Sequence, residues 1–180
     1  LTEYNPDMDP IPALAESWEH SDDLKTYTFK LRKGVKFHNG RELEAEDIKW
    51  NYERILDPEL GSQMRNNVQE VESVEVKDKY TVVMHLNTPS VTLPMGVQEV
   101  KIVAKENLDN INKDPAGTGP YMYEDFIPNE VLTLKRFDDY WGEPAIAETV
   151  VMRWATEGAA RLLELQAGTV ICGGELRRSP

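Results

Sequence analysis

Three histidines, a run of carboxylates and scattered serines are the residues of this chain that could do chemistry. His20, His38 and His85 are the natural metal candidates, but none sits in a His-Glu-x-x-His helix or another ligand-spaced cluster. His38 lies in a turn, Phe37-His-Asn-Gly40, and His85 alternates with apolar residues on a strand pattern. Glu42, Glu44, Glu46 and Asp47 resemble acid/base pairs at first sight. They precede Ile48, however, where negative charge favours the positive end of a helix dipole. Asp138 and Asp139 lead into an aromatic anchor with no base beside them, and a glycosidase pair needs carboxylates on opposite sides of a substrate. Ser17, Ser21, Ser62, Ser73 and Ser90 lack the Gly-x-Ser-x-Gly elbow. Gly117-Thr-Gly119 runs into Pro120 rather than Lys-Ser/Thr, so it is not a phosphate cradle. These residues favour a binding scaffold over a catalyst, with no cofactor expected. An α+β hydrolase stays as the alternative of another class, and it requires two convergent perturbed carboxylates or a nucleophile beside a base.

The elements that must position these residues follow from pattern. Tyr27, Phe29 and Leu31 alternate with polar neighbours, the period of a half-buried strand. From Ala45 to Leu56, Ile48, Tyr52, Ile55 and Leu56 share one helical face, and Asp57-Pro58 ends that helix. A hairpin is expected from Ser73 to Leu86 around Asp78-Lys79. Val91–Val97 is expected to be a short helical turn, Lys101–Ala104 a short strand and Lys105–Ile111 a short helix. Gly117 and Gly119 read as a tight turn that uses backbone angles unavailable to other residues. It feeds strands Tyr121–Ile127 and Val131–Phe137, with Asp138-Asp-Tyr-Trp-Gly142 as the anchor. A strand from Glu148 to Trp154 and a helix from about Thr156 to Gln166, stopped by Gly168, complete the pattern. No regular βαβ alternation appears, so the fold class expected is mixed α+β rather than a Rossmann fold. Trp18, Trp50, Trp141 and Trp154 are expected to pack.

The chain has 180 residues and a formal charge of −12, with 40% hydrophobic and 29% charged residues. The acidic balance opposes a nucleic-acid footprint and serves solubility. Cys172 is the only cysteine, so no intrachain disulfide and no cysteine-rich zinc module is possible. No apolar run reaches membrane-spanning length.

Four segments in order carry a family resemblance. They are Pro12-Ala-Leu-Ala-Glu-Ser-Trp-Glu19 with Tyr27-Thr-Phe-Lys-Leu-Arg-Lys-Gly-Val-Lys-Phe-His-Asn-Gly40, Ala45-Glu-Asp-Ile-Lys-Trp-Asn-Tyr-Glu-Arg-Ile-Leu-Asp-Pro58, Gly117-Thr-Gly-Pro-Tyr121 through Trp141, and Ala159-Ala-Arg-Leu-Leu-Glu-Leu-Gln-Ala-Gly168. Together they resemble the extracytoplasmic solute-binding proteins of peptide and nickel ABC transporters, the oligopeptide/dipeptide-binding family. The resemblance implies a two-lobed clamshell of which this chain is a partial first lobe. Residues 1–112 would be its inserted subdomain and 113–180 part of its core subdomain, the second lobe being absent. It also implies that residues upstream of Leu1 are missing, so an export signal or N-terminal anchor cannot be sought here. From Thr169 the sequence departs from the family pattern, as a truncated or frameshifted tail would.

The function so implied is capture of peptides outside the cytoplasmic membrane, in the periplasm or its equivalent, for delivery to an ABC permease. Nickel chelates and oligosaccharides are the alternative ligands. Loops at the ends of first-lobe strands would touch the ligand. Met64 and Met95 would adapt to varied side chains, while Arg65 and Gln98 would orient a carboxylate or peptide carbonyl. Tyr121, next to the glycine turn, is the fifth candidate. The carboxylate that anchors a peptide's amino terminus belongs to the second lobe in such relatives and has no counterpart here.

Overall fold

The computed structural model describes residues 1–154, 157–168 and 170. Its centre is a four-stranded antiparallel sheet in the order β3-β4-β6-β5, built from β3 (Ala15–His20), β4 (Thr26–Leu31), β5 (Val71–Asp78) and β6 (Thr81–Leu86). Tyr27, Phe29 and Leu31 face inward while Thr26, Thr28 and Lys30 face out, as the period-two pattern requires. Helix α1 (Ala45–Leu56) lies on the inner face against β5 and β6 and buries Ile48, Tyr52 and Ile55. A small hairpin of β1 (Thr2–Tyr4) and β2 (Pro10–Pro12) and the single turn α2 (Leu93–Gly96) close the body. The buried apolar cluster runs from Leu1 to Ala116.

A second, three-stranded antiparallel sheet comprises β7 (Tyr121–Ile127), β8 (Val131–Arg136) and β9 (Thr149–Arg153). The β7–β8 turn places Asn129 at φ 63°. Helix α3 (Gly158–Gln166) ends at Gly168, whose φ of 69° makes glycine the natural stop. Every strand pairing in the described residues is antiparallel, which fits the α+β class. Val151, Met152, Trp154, Leu162 and Leu163 stand exposed on this side of the molecule. Cys172 and nearly all of the atypical tail lie outside the described residues.

The expected strand at Lys101–Ala104 does not form. The buried Asn51 side chain takes both backbone groups of Val103, accepting from its N–H at 3.2 Å and donating to its carbonyl at 2.9 Å. Ala104 N–H instead donates to Ala116 O at 2.9 Å, so the segment is satisfied without a ladder. Lys105–Asn110 is a 3₁₀ segment rather than an α-helix.

The acidic run before α1 is a tie as well as a cap. Asp47, 7% exposed, accepts from the Glu44 backbone N–H at 2.9 Å. Arg41 grips Asp47 with two bonds of 2.7 and 2.9 Å and Glu106 with bonds of 2.6 and 3.1 Å. The guanidinium lies over the Phe37 ring at 4.9 Å. Arg41 holds the Glu106 carboxyl down to about 2, and Lys79, Gly34 N–H and the Tyr80 hydroxyl do the same for Glu42.

Both carboxylates have folded-state pKa values below their unfolded ones. Their stabilisation is therefore complete above the unfolded value near 4.5 and is lost as pH falls toward 2. The thermal midpoint should be flat from pH 7 to about 5 and then decline, and the Arg41→Gln variant should show a shallower decline in calorimetry. A second test concerns Gly96, where an added Cβ would run into the backbone carbonyl oxygen of Asn67. Gly96→Ala should cost about 1–3 kcal/mol in urea unfolding, since backbone must move.

Candidate functional site: a groove at the glycine turn

The two sheets meet at residues 117–120, and His38 makes the junction. Its backbone N–H donates to Gly117 O at 2.9 Å. Its Nδ1 accepts the Gly117 N–H at 3.3 Å, which leaves the ring proton on Nε2 to donate to Gly119 O at 3.0 Å. The ring meets Phe137 edge-on at 5.0 Å. Three more bonds hold the far side. Trp141 Nε1 donates to Thr118 O at 3.1 Å, Phe137 N–H donates to Pro120 O at 2.9 Å, and Lys36 pairs with Asp139 at 2.8 Å. Arg32 lies over the Trp141 ring at 4.9 Å. The aromatic anchor thus folds back onto the turn, and Gly142 makes room: a Cβ there would sit 2.6 Å from Tyr140 Cε1.

The turn does not work as the sequence suggested. Neither Gly117 nor Gly119 has a left-handed backbone; among the described residues the positive-φ glycines are Gly34, Gly40, Gly61 and Gly168. A Cβ on Gly117 would make only ordinary contacts, at 3.8 and 3.9 Å, and one on Gly119 would meet nothing within 4 Å. Both residues line an open groove instead, so their lack of a side chain leaves it room.

That groove measures about 850 Å³. It is lined by the turn, the 100–103 segment, Tyr123, Leu132 and Leu134 of the second sheet, and Tyr4 and Trp141. Gln98 and Tyr121 both line it. Gln98 Oε1 is buried and has no hydrogen-bond partner, a costly state for an acceptor. Tyr121 Oη donates to Ala147 O at 3.1 Å, which fixes its ring. Burial pushes the Tyr140 phenol above its ordinary value, with Glu3 adding to the effect, so it is neutral near pH 7. Lys101 supplies a cation at the rim and Glu3 an anion.

The other three candidates stand elsewhere. Met64 is partly buried against the core and Arg65 is exposed, both on the 3₁₀ segment Gln63–Asn67. Met95 is 38% exposed on α2, and its carbonyl accepts from Tyr4 Oη at 3.3 Å. None of the three lines the groove. Sequence reasoning missed Tyr4, His38 and Tyr123 as lining residues. Tyr4 sits on a three-residue strand too short for a periodic signal, but the alternation of Tyr121 and Tyr123 was readable.

The groove offers rings, aliphatic side chains and charges of both signs at its rim. His20 contacts Ser21 O, and His85 meets Glu75 at 3.2 Å on a sheet face. Among the described residues no group of three His, Cys, Asp or Glu side chains could hold a metal. This is equipment for holding an extended polar ligand with apolar parts.

The family model described as bacterial extracellular solute-binding proteins, family 5 Middle, matches residues 9–176. The chain belongs to this family of solute-binding proteins. Within family 5 it is 31% identical over 189 residues to heme-binding protein A of Haemophilus influenzae, covering 88% of this chain and 34% of that protein. It is 30% identical over 187 residues to the dipeptide-binding protein of Escherichia coli, covering 87% of this chain and 34% of that one. The oligopeptide-binding protein AppA of Bacillus subtilis, solved with a nonapeptide, superposes with a TM-score of 0.88 at 27% identity, over 94% of this chain and 36% of its own. The chain therefore spans about a third of the length of the relatives it matches.

The groove of this chain rests on the bonds His38 makes to the glycine turn. His38→Ala should free the Gly117 amide, and hydrogen exchange at Gly117 and Phe137 should quicken several-fold, as expected for losing bonds worth about 1 kcal/mol each. Exchange in the β4–β6 ladder should stay unchanged.

Proposed function

We propose that this chain forms the ligand-facing wall of the substrate-binding component of an ABC importer, a protein that captures peptides outside the cytoplasmic membrane and hands them to the permease. The chain would be part of a first lobe, with residues 1–112 as an inserted subdomain and 113–180 entering the lobe core. Peptide would lie in the groove at the glycine turn and be closed over by a second lobe. Capture would come from contacts that exist only in the closed form, without chemistry on the ligand.

The observation that carries this reading is the groove of about 850 Å³ lined by the rings of Tyr4, Tyr121, Tyr123, Tyr140 and Trp141, with Gln98 among them. Tyrosine and tryptophan rings offer apolar faces to varied side chains and polar edges to a peptide backbone. Peptide ligands named for the Escherichia coli and Bacillus subtilis relatives support the same class. Met64, Arg65 and Met95, outside the groove, would matter only if the closing lobe reaches over them.

The test is calorimetry on a protein of the relatives' full length, carrying this sequence, against di- to tetrapeptides, nickel–histidine, heme and oligosaccharides. Peptide binding should saturate, and Tyr123→Ala should weaken it about tenfold, the loss of one aromatic wall of the groove. The 180-residue chain alone should bind far more weakly, having one wall of the site. Silence toward every peptide, with saturation by heme, a nickel chelate or a sugar, would sink the peptide reading.

A further inference from the structure

The joint between His38 and the glycine turn contains one bond that acid must break. Nδ1 accepts the Gly117 N–H at 3.3 Å, and Nε2 donates to Gly119 O at 3.0 Å. A protonated imidazole carries N–H on both nitrogens. Its Nε2–H still suits Gly119 O, and the bond from the His38 backbone N–H to Gly117 O is untouched. At Nδ1, however, an N–H comes to face an N–H, so the ring or Gly117 must give way. Imidazoles change charge between about pH 5 and 8. The Glu42 and Glu106 carboxyls, held down to about 2, stay ionised throughout that range.

No neighbour stands ready to pair with an imidazolium. Among the described residues no carboxylate hydrogen-bonds or ion-pairs with His38. Residues 116–120 of the turn carry no titratable side chain. Phe137, edge-on to the ring at 5.0 Å, is followed by Asp138 and Asp139, which Arg136 and Lys36 hold at 2.9 and 2.8 Å. On the loop that bears His38, Lys36 is thus engaged and Arg41 is gripped by Asp47 and Glu106. The 100–103 segment brings the cation Lys101, and the tyrosine phenols of the groove are neutral at these pH values. Glu3, the one carboxylate lining the groove among the described residues, makes no ion pair with the ring.

The turn is fixed at both ends and has room between them. Ala104 N–H holds Ala116 O and Phe137 N–H holds Pro120 O, each at 2.9 Å. Between these points a Cβ on Gly119 would meet nothing within 4 Å, so the segment has space to shift. Thr118 O takes the Trp141 Nε1–H at 3.1 Å, and Gly117, Thr118 and Trp141 all line the groove. A movement of residues 117–119 therefore reaches the lining through that indole.

We propose that His38 is an acid-sensitive latch, whose protonation releases the Gly117 amide, shifts residues 117–119 and reshapes the groove. Closure belongs to the neutral ring, so it is present near pH 7.5 and lost as pH falls toward about 5.5. Water in the open groove takes the freed N–H groups, so the change is read in the turn and not in the melting midpoint. The latch concerns the shape of the groove and stands whichever ligand the groove takes.

The test is nuclear magnetic resonance on the ¹⁵N-labelled 180-residue chain, titrated from about pH 7.5 to 5.5. The His38 ring nitrogens report protonation, the Gly117 amide reports the broken bond, and the Trp141 indole N–H reports the groove. All three should follow one titration curve while the amides of α1 hold still. His38→Asn keeps a side-chain acceptor and cannot titrate, so it should abolish the pH dependence of the Gly117 and Trp141 signals. His20→Gln and His85→Gln should leave that dependence intact. If His38→Asn does not fold, the three midpoints of the parent chain decide by themselves. A His38 ring that stays neutral at pH 5.5, a Gly117 amide that does not follow the ring, or a Trp141 signal that holds still while Gly117 moves overturns the proposal. So does a folded His38→Asn chain whose two signals titrate as in the parent.

Discussion

A single imidazole wedged between two chain segments sets the geometry of this molecule. His38 offers one nitrogen as acceptor and the other as donor, and both partners lie in the same turn, at Gly117 and Gly119. Only the neutral ring with its proton on Nε2 satisfies both. Phe137 covers the ring edge-on, and Trp141 reaches Thr118 from the other side. The second sheet is joined to the first body by a few directional bonds more than by shared core, because the large buried cluster ends at Ala116. Directional bonds define an angle, and here that angle opens the groove.

Charge is used differently in the body and in the groove. The body spends its carboxylates as ties: Asp47 and Glu106 on Arg41, Glu42 and Glu44 on Lys79. These ties join segments far apart in sequence, such as Arg41 and Glu106. The groove is lined mainly by rings and aliphatic side chains. A surface of that kind tolerates varied ligands, which suits a family whose members are named for dipeptides and for heme. Beside Trp50, Arg54 and Lys105 lack, among the described residues, the carboxylates that Lys79 receives beside Tyr80.

Local pattern was a good guide wherever one face of an element is buried. The helix Ala45–Leu56 and the hairpin strands 121–127 and 131–136 match their expected limits closely, because apolar spacing and a Pro-Asn turn leave little choice. The pattern misled where a side chain replaced a ladder. Lys101–Ala104 is extended and apolar, but Asn51 takes the Val103 backbone groups that a neighbouring strand would have used. Its motif also pointed to Gly117 and Gly119, though the backbone angles offered as the reason are absent and the space they leave is what counts. Of the proposed ligand residues, Gln98 and Tyr121 reach the groove; Met64, Arg65 and Met95 lie outside it. Adjacency to a loop cannot say which way that loop faces.

By itself the sequence determined the class of fold, the acidic surface, the main helix and hairpins, and membership of a solute-binding family. Those properties follow from periodicity and from motifs that act over a few residues. Only the tertiary structure decided that His38, Thr118 and Trp141 meet, that Gln98 carries an unpaired acceptor, and that Arg54 and Lys105 share one indole. Each of these depends on contacts between residues tens of positions apart, whose mutual distance no local pattern encodes.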